Sequence, residues 1–218
     1  MHAVHVLFGY PGSGSAAIEC ALALAGLPFE QRQAASWDPK SELEALTRVN
    51  PLQQIPTLVL PDGGVLSESA AILIHLGLSH PTSGLLPAEP AARAQAIRGL
   101  VYIAANCYAA ISISDYPERW LHEPDEASCE RLRIGTRERL HAHWCLFADT
   151  FGALLPAPDA GPLQRPDALA LLATVVSRWS GTRPCLAKER PGFLAQLQHI
   201  EQHPAVRAVF ERHWPTQP

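Results

Sequence analysis

Asn50-Pro51-Leu52-Gln53-Gln54-Ile55-Pro56-Thr57-Leu58-Val59-Leu60-Pro61-Asp62-Gly63-Gly64-Val65-Leu66-Ser67-Glu68-Ser69-Ala70-Ala71-Ile72 is the stretch that decides the fold. Residues 57–60 read as a short strand after a proline. Asp62-Gly63 supplies the positive φ of a tight hairpin turn, so Val65 and Leu66 begin a returning antiparallel strand. From Glu68 to about residue 78 the period becomes helical, with Ile72, Leu73 and Leu76 on one buried face.

Upstream, Val4-His5-Val6-Leu7-Phe8 is a β-rich run stopped by Gly9-Tyr10-Pro11-Gly12-Ser13-Gly14. Residues 15–25 read as a buried helix, with Gly26 as the residue that ends it. Residues 28–33 read as a second strand and residues 41–49 as a short helix. The order is β-α-β-α-β-β-α. A β-α-β start implies a parallel pair and the hairpin adds an antiparallel edge, so the fold class is α/β and thioredoxin-like.

After residue 80 only helical patterns remain. Residues 81–90, with Pro81, Gly84, Pro87 and Pro90, read as a linker between a domain at 1–80 and an all-helical bundle at 91–218. Helices are expected at 91–114, 125–151, 167–179, 191–202 and 204–213, with a Pro-rich turn over 152–166.

The 218 residues carry 17 basic and 21 acidic side chains, a net charge of −4, which disfavours a general nucleic-acid binder. No apolar run reaches the roughly 18 residues of a membrane span, and the start has no signal-peptide pattern. The expected location is the cytoplasm, with no membrane partner. Five scattered cysteines, Cys20, Cys107, Cys129, Cys145 and Cys185, form no disulfide framework and no Cys-x-x-Cys. His141-Ala142-His143 lacks a Glu or Cys at ligand spacing, so no metal is expected.

Four segments carry a resemblance to the glutathione S-transferases. Residues 50–58 are similar to the family's N-P-x-G-x-V-P-x-L, with Gln53 at the glycine. Residues 66–72 are similar to L-x-[ES]-S-x-A-I. Tyr10-Pro11-Gly12-Ser13-Gly14-Ser15-Ala16 resembles the P-G-x-C-S of the bacterial beta class, with Gly14 where that class has its catalytic cysteine. Residues 198–206 resemble the family's helix–R-P–helix ending. The family's S/T-x-x-D capping box falls on Asp167 and Ala170, so half of it is lost.

The resemblance implies glutathione as co-substrate, and transfer of its thiolate to a small apolar electrophile in a detoxifying transferase. In the family Pro56 follows a cis bond, which frees the Ile55 main chain to pair with the cysteinyl backbone of glutathione. Gln54 flanks that edge. Glu68 accepts from the γ-glutamyl ammonium. Ser69, at a helix start, holds the γ-glutamyl carboxylate. On the residues alone, Ser67 or Ser69 as a helix cap is the simpler assignment. The family's catalytic tyrosine position falls on Phe8, which cannot donate. That leaves Ser13, Ser15 or N–H groups at the first helix tip to stabilise the thiolate. The expected electrophile pocket comprises Tyr10, Tyr102, Asn106 and Tyr108, with Trp120 and Trp179 as further walls. Trp37, Asp38 and Lys40 are expected over the glycyl end. The family's usual assembly is a homodimer.

Two other readings compete. Residues 12–17 fit G-x-G-x-x-A between a strand and a helix, a dinucleotide-binding pattern, but no further βαβ units follow. The missing cysteine also fits a non-catalytic binding module on the same fold.

Overall fold

A computed structural model describes residues 4–158 and 164–215. Residues 1–3 of the expected leaderless start, and part of the expected 152–166 turn, lie outside the described residues.

Strand β1 (His5–Gly9) leads into helix α1 (Ser15–Ala25), β2 (Phe29–Gln33), α2 (Leu43–Val49), β3 (Thr57–Val59), β4 (Val65–Leu66) and α3 (Ser69–Ser79). The sheet order is β2-β1-β3-β4. The β1–β2 pair is parallel, His5 opposite Phe29, and β3 is antiparallel to β1, Leu58 opposite Leu7. The hairpin pairs Leu58 with Leu66. This is the mixed sheet the spacing predicts.

Helix α1 is apolar over most of its surface, with Glu19 its one charged residue, and Ala16, Ala17, Ile18, Cys20, Ala21 and Leu22 are fully buried. Such a helix must be covered on every side. The sheet covers one side, while α3 and two helices from later in the chain cover the others. It ends where Gly26, at φ +67°, turns its N–H back onto the Ala23 carbonyl.

The helical region follows: α4 (Pro90–Tyr102), a π-helical segment at Ile103–Tyr108, α5 (Ala109–Asp115), α6 (Glu126–Phe151), α7 (Ala168–Val176), α8 (Thr182–Glu189), α9 (Pro191–Glu201) and α10 (Pro204–His213). All nine residues of α7 are buried, and it packs on α1, α4 and α9. Asp167 caps α7 through its carboxylate and the Ala170 N–H at 2.8 Å, the half-box expected. Helix α6 starts with a full box between Asp125 and Ser128. Trp144, Phe147 and Phe151 project from α6 into an aromatic cluster with Tyr102 and Phe193.

The sequence reading needs three corrections here. The helix expected at 167–179 stops at Val176, because Ser180 and Gly181 take positive φ, and α8 then forms separately. The expected 91–114 helix runs from Pro90 to Asp115 with its regular winding broken at Ile103–Tyr108. That 26-residue helix is also long and apolar enough to cross a membrane by length and composition, although its charged Arg93 and Arg98 interrupt the apolar run. Here it packs against α6 and α7.

Candidate functional site

The starts of α1 and α3 and the loop before β3 converge below the π-helical segment. The loop is held by Asn50. Its amide donates to the Gln54 carbonyl at 3.2 Å and to Thr57 Oγ at 2.9 Å, and its Oδ1 accepts the Leu52 N–H at 3.1 Å. Gln53 sits at φ +56°, the left-handed region that favours glycine, and its side chain donates to Thr47 at 3.1 Å. That backbone position is where the resembled family has its glycine. Ile55 and Pro56 are joined by a cis bond. Among the described residues, no protein group takes the Ile55 N–H or C=O. The loop therefore presents a strand-like edge with its polar groups free.

At α3 the capping alternative, which the resemblance already outweighed, is not what forms. The N-cap position is Glu68, neither Ser67 nor Ser69 caps the helix, and no side chain bonds its first N–H groups. Glu68 is exposed and held at φ +66°, a strained conformation for a residue with a side chain. Ser69 is 8% exposed. The start of this 11-residue helix is thus an open cluster of N–H donors with a carboxylate beside it.

At α1 the two serines are turned inward. Their hydroxyls lie 2.9 Å apart, and both accept the Tyr10 N–H at 3.3 Å. Ser13 also takes the Ser15 N–H at 3.3 Å, and its carbonyl takes the Ala16 N–H. Ser15 is fully buried, packed against Gly9. The N–H groups expected to be free at this helix start are therefore occupied by Ser13 itself.

The expected pocket residues separate. Tyr10 donates its hydroxyl to Asp38 at 2.9 Å and stacks edge-on against Trp37, so it joins the loop after β2. Lys40, expected beside them, is exposed, and its backbone N–H binds Asp38. Tyr102 points the other way, its hydroxyl 3.1 Å from His143 Nδ1 and its ring among Phe147 and Phe151. Asn106 donates to the Tyr102 carbonyl at 3.1 Å and lines an open cleft of about 400 Å³ against Arg131, Arg139 and His143 of α6. His141 instead contacts the Ser180 carbonyl at 3.0 Å, so the two histidines of the His-Ala-His stretch serve different partners. Trp120 is 58% exposed.

Tyr108 alone of the expected helix residues reaches the convergence. Burial pushes the pKa of its phenol well up, and the neighbouring Ser69 hydroxyl and Glu68 carboxylate also act on it. Its ring lies 5.9 Å from that of Trp179. A Cβ placed on Gly14 would stand 2.0 Å from the Tyr108 oxygen and 3.7 Å from Pro56 Cδ.

Sequence reasoning missed two contributors. Asn50 was visible as a polar residue opening the motif, but its three bonds were not. The C-terminal His213-Trp214 also packs on Gly12, and nothing local in the sequence signals a contact across that distance.

Residues 15–78 match the family model of the glutathione S-transferase N-terminal domain. The chain is 35% identical over 121 residues to the uncharacterized GST-like protein YncG of Escherichia coli (strain K12), covering 55% of this chain and 58% of that one. It is 38% identical over 94 residues to a probable maleylacetoacetate isomerase of Caenorhabditis elegans, 42% of each. The chain thus spans about half the length of these curated relatives. A glutathione transferase homologue from Sulfitobacter, crystallised with bound glutathione, superimposes with a TM-score of 0.77 at 23% identity, covering 95% of this chain and 97% of that one.

Proposed function

With residues 15–78 a glutathione S-transferase N-terminal domain and the whole chain in the glutathione transferase fold, we propose that this protein is a glutathione transferase acting on a small apolar electrophile. The observation that carries the reading is the uncapped start of α3 behind the strained Glu68. A residue forced to positive φ costs about 1–3 kcal/mol and persists where function requires it. The bound γ-glutamyl carboxylate accepts from the first α3 N–H groups and the Ser69 hydroxyl. Its ammonium donates to Glu68. The cysteinyl backbone pairs with Ile55, beside Gln54 and Pro56. The thiolate then forms a C–S bond to the electrophilic carbon; an aryl chloride loses chloride with the bonding pair, and in an activated alkene the π pair moves to the neighbouring carbon, which takes a proton from solvent.

The maleylacetoacetate isomerase relative makes an activated alkene a useful second electrophile beside an activated aryl chloride. In steady-state assays, turnover of either with glutathione supports the reading. Absence of glutathione binding by calorimetry would overturn it.

The inward-turned Ser13 and Ser15 favour one rival, a glutathione-binding module without turnover. Calorimetric binding of S-hexylglutathione with no turnover on either electrophile would select it. We also propose a cytoplasmic homodimer. Five free thiols suit a reducing compartment. Val101, Ile134 and Leu146 remain about half exposed on α4 and α6, and a two-fold pair would cover such side chains. Light scattering on the eluted protein tests the dimer.

A further inference from the structure

The resembled bacterial class sets a cysteine side chain at the tip of α1, and here Gly14 leaves that position bare. The space is not empty. The phenol oxygen of Tyr108, from the far side of the fold, stands 2.0 Å from where a Cβ on residue 14 would be. Real Cβ atoms do not approach an oxygen that closely, so Tyr108 can hold this position only because residue 14 is glycine. The same point is 3.7 Å from Pro56 Cδ. The Ser69 hydroxyl, at the start of α3, is close enough to act on the phenol. The oxygen is therefore bordered by the three elements that converge here: the α1 start, the loop before β3 and the α3 start.

We propose that the Tyr108 hydroxyl is the donor that faces the glutathione sulfur, in the space Gly14 leaves open. The inference rests on the glutathione reading above and names the group that acts on its thiol. A glutathione whose cysteinyl backbone pairs with Ile55, and whose γ-glutamyl carboxylate lies on α3, carries its sulfur between those anchors. That is the region the phenol borders. The phenol donates a hydrogen bond to the thiolate and keeps its own proton, while the thiol proton leaves to solvent. Ser13 and Ser15 cannot serve equally, because they bond each other and the Tyr10 N–H.

Two features hold the phenol in place and a third keeps it protonated. Trp179 lies against the ring. The π-helical winding at Ile103–Tyr108 sets the angle at which it leaves the helix, and such segments recur at functional sites. Burial raises the phenol pKa, so the hydroxyl stays a donor across the working range.

The test follows the ultraviolet absorbance of the thiolate of bound glutathione against pH, with S-methylglutathione affinity measured separately. Tyr108→Phe removes one oxygen. It is expected to leave S-methylglutathione binding little changed and to move the thiolate midpoint up by about one pH unit, a tenfold change. Gly14→Ala displaces the phenol and is expected to give the same rise. The double variant should rise no further, since both remove one interaction. An unmoved midpoint in Tyr108→Phe, with S-methylglutathione still bound, overturns the assignment and leaves the glutathione reading standing. A wild-type protein that binds no S-methylglutathione overturns both.

Discussion

Gly12 donates its backbone N–H to Nδ1 of His213 across 3.2 Å, joining residues 201 positions apart. The other ring nitrogen of His213 lies 2.5 Å from Glu19 Oε1. Accepting at Nδ1 leaves the proton on Nε2, where it is donated to the carboxylate. Glu19, fully buried in α1, also receives Gln31 at 2.6 Å and Arg212 at 3.2 Å. The last described helix is thereby fastened to the loop that opens the site. His213→Ala should cost about 2–4 kcal/mol in urea denaturation, because it takes one partner from a buried carboxylate and leaves a loop N–H unpaired. Adding Glu19→Gln removes the charge that lost its histidine partner, so the double variant should lose less than the two single losses added together.

Asn50 makes three bonds from a nearly buried position and holds the loop that carries Ile55. Asn50→Ala is expected to lose about 2–3 kcal/mol of stability. It should also weaken glutathione binding, because the Ile55 edge is no longer fixed. Calorimetry at a temperature where the variant is folded separates the two effects; unchanged affinity there would detach the loop from binding.

Burial pushes the Asp167 carboxyl up to about 6, against backbone N–H groups of Ala170 and Leu169 that favour its charged form. The folded state therefore holds this proton more tightly than the unfolded chain. Its contribution is fully present below about pH 4 and is lost as pH rises towards 6. Asparagine caps a helix as well as aspartate and carries no charge to bury. Asp167→Asn should become more stable relative to wild type between pH 4 and 6, by up to about 3 kcal/mol. A difference independent of pH would remove burial as the cause.

Burial pushes the Cys107 thiol up to about 12 and Cys20 higher still. Cys129 is buried as well, while Cys145 and Cys185 are half-buried. A thiolate-selective reagent at pH 8 should label Cys145 and Cys185 first, and the other three only on unfolding. Peptide mapping by mass spectrometry reads the sites. Activity surviving that label would fit a transfer step that uses no protein thiol.

How much could be read beforehand follows from where the signals lie. The strand and helix order was legible because Asp62-Gly63, Gly26 and Pro204 punctuate it locally. Helix α8 was not, since only Thr182 and Leu186 are buried and Pro184 breaks the pattern. The motif at residues 50–58 was legible as a loop and strand, and the positive φ at Gln53 is the backbone that the resembled motif's glycine would take without strain. The direction of Tyr102 was hidden because its partner, His143, lies 41 residues away. The pairing of Ser13 with Ser15 was hidden for a different reason. Their spacing suits a cap, and spacing does not tell whether two hydroxyls face outward or each other.

The π-helical winding before Tyr108 makes the site depend on the shape of one turn, not only on the residues in it. Each residue of a regular α-helix advances the direction of a side chain by about 100°, and the wider π turn takes up about one extra residue without changing where the flanking side chains point. If the same residues from Ile103 to Tyr108 wound regularly, the phenol would swing away from Gly14 by roughly one such step, with every chemical group still present. The group that stands beside Gly14 is therefore chosen by backbone winding, which a comparison of aligned residues would overlook.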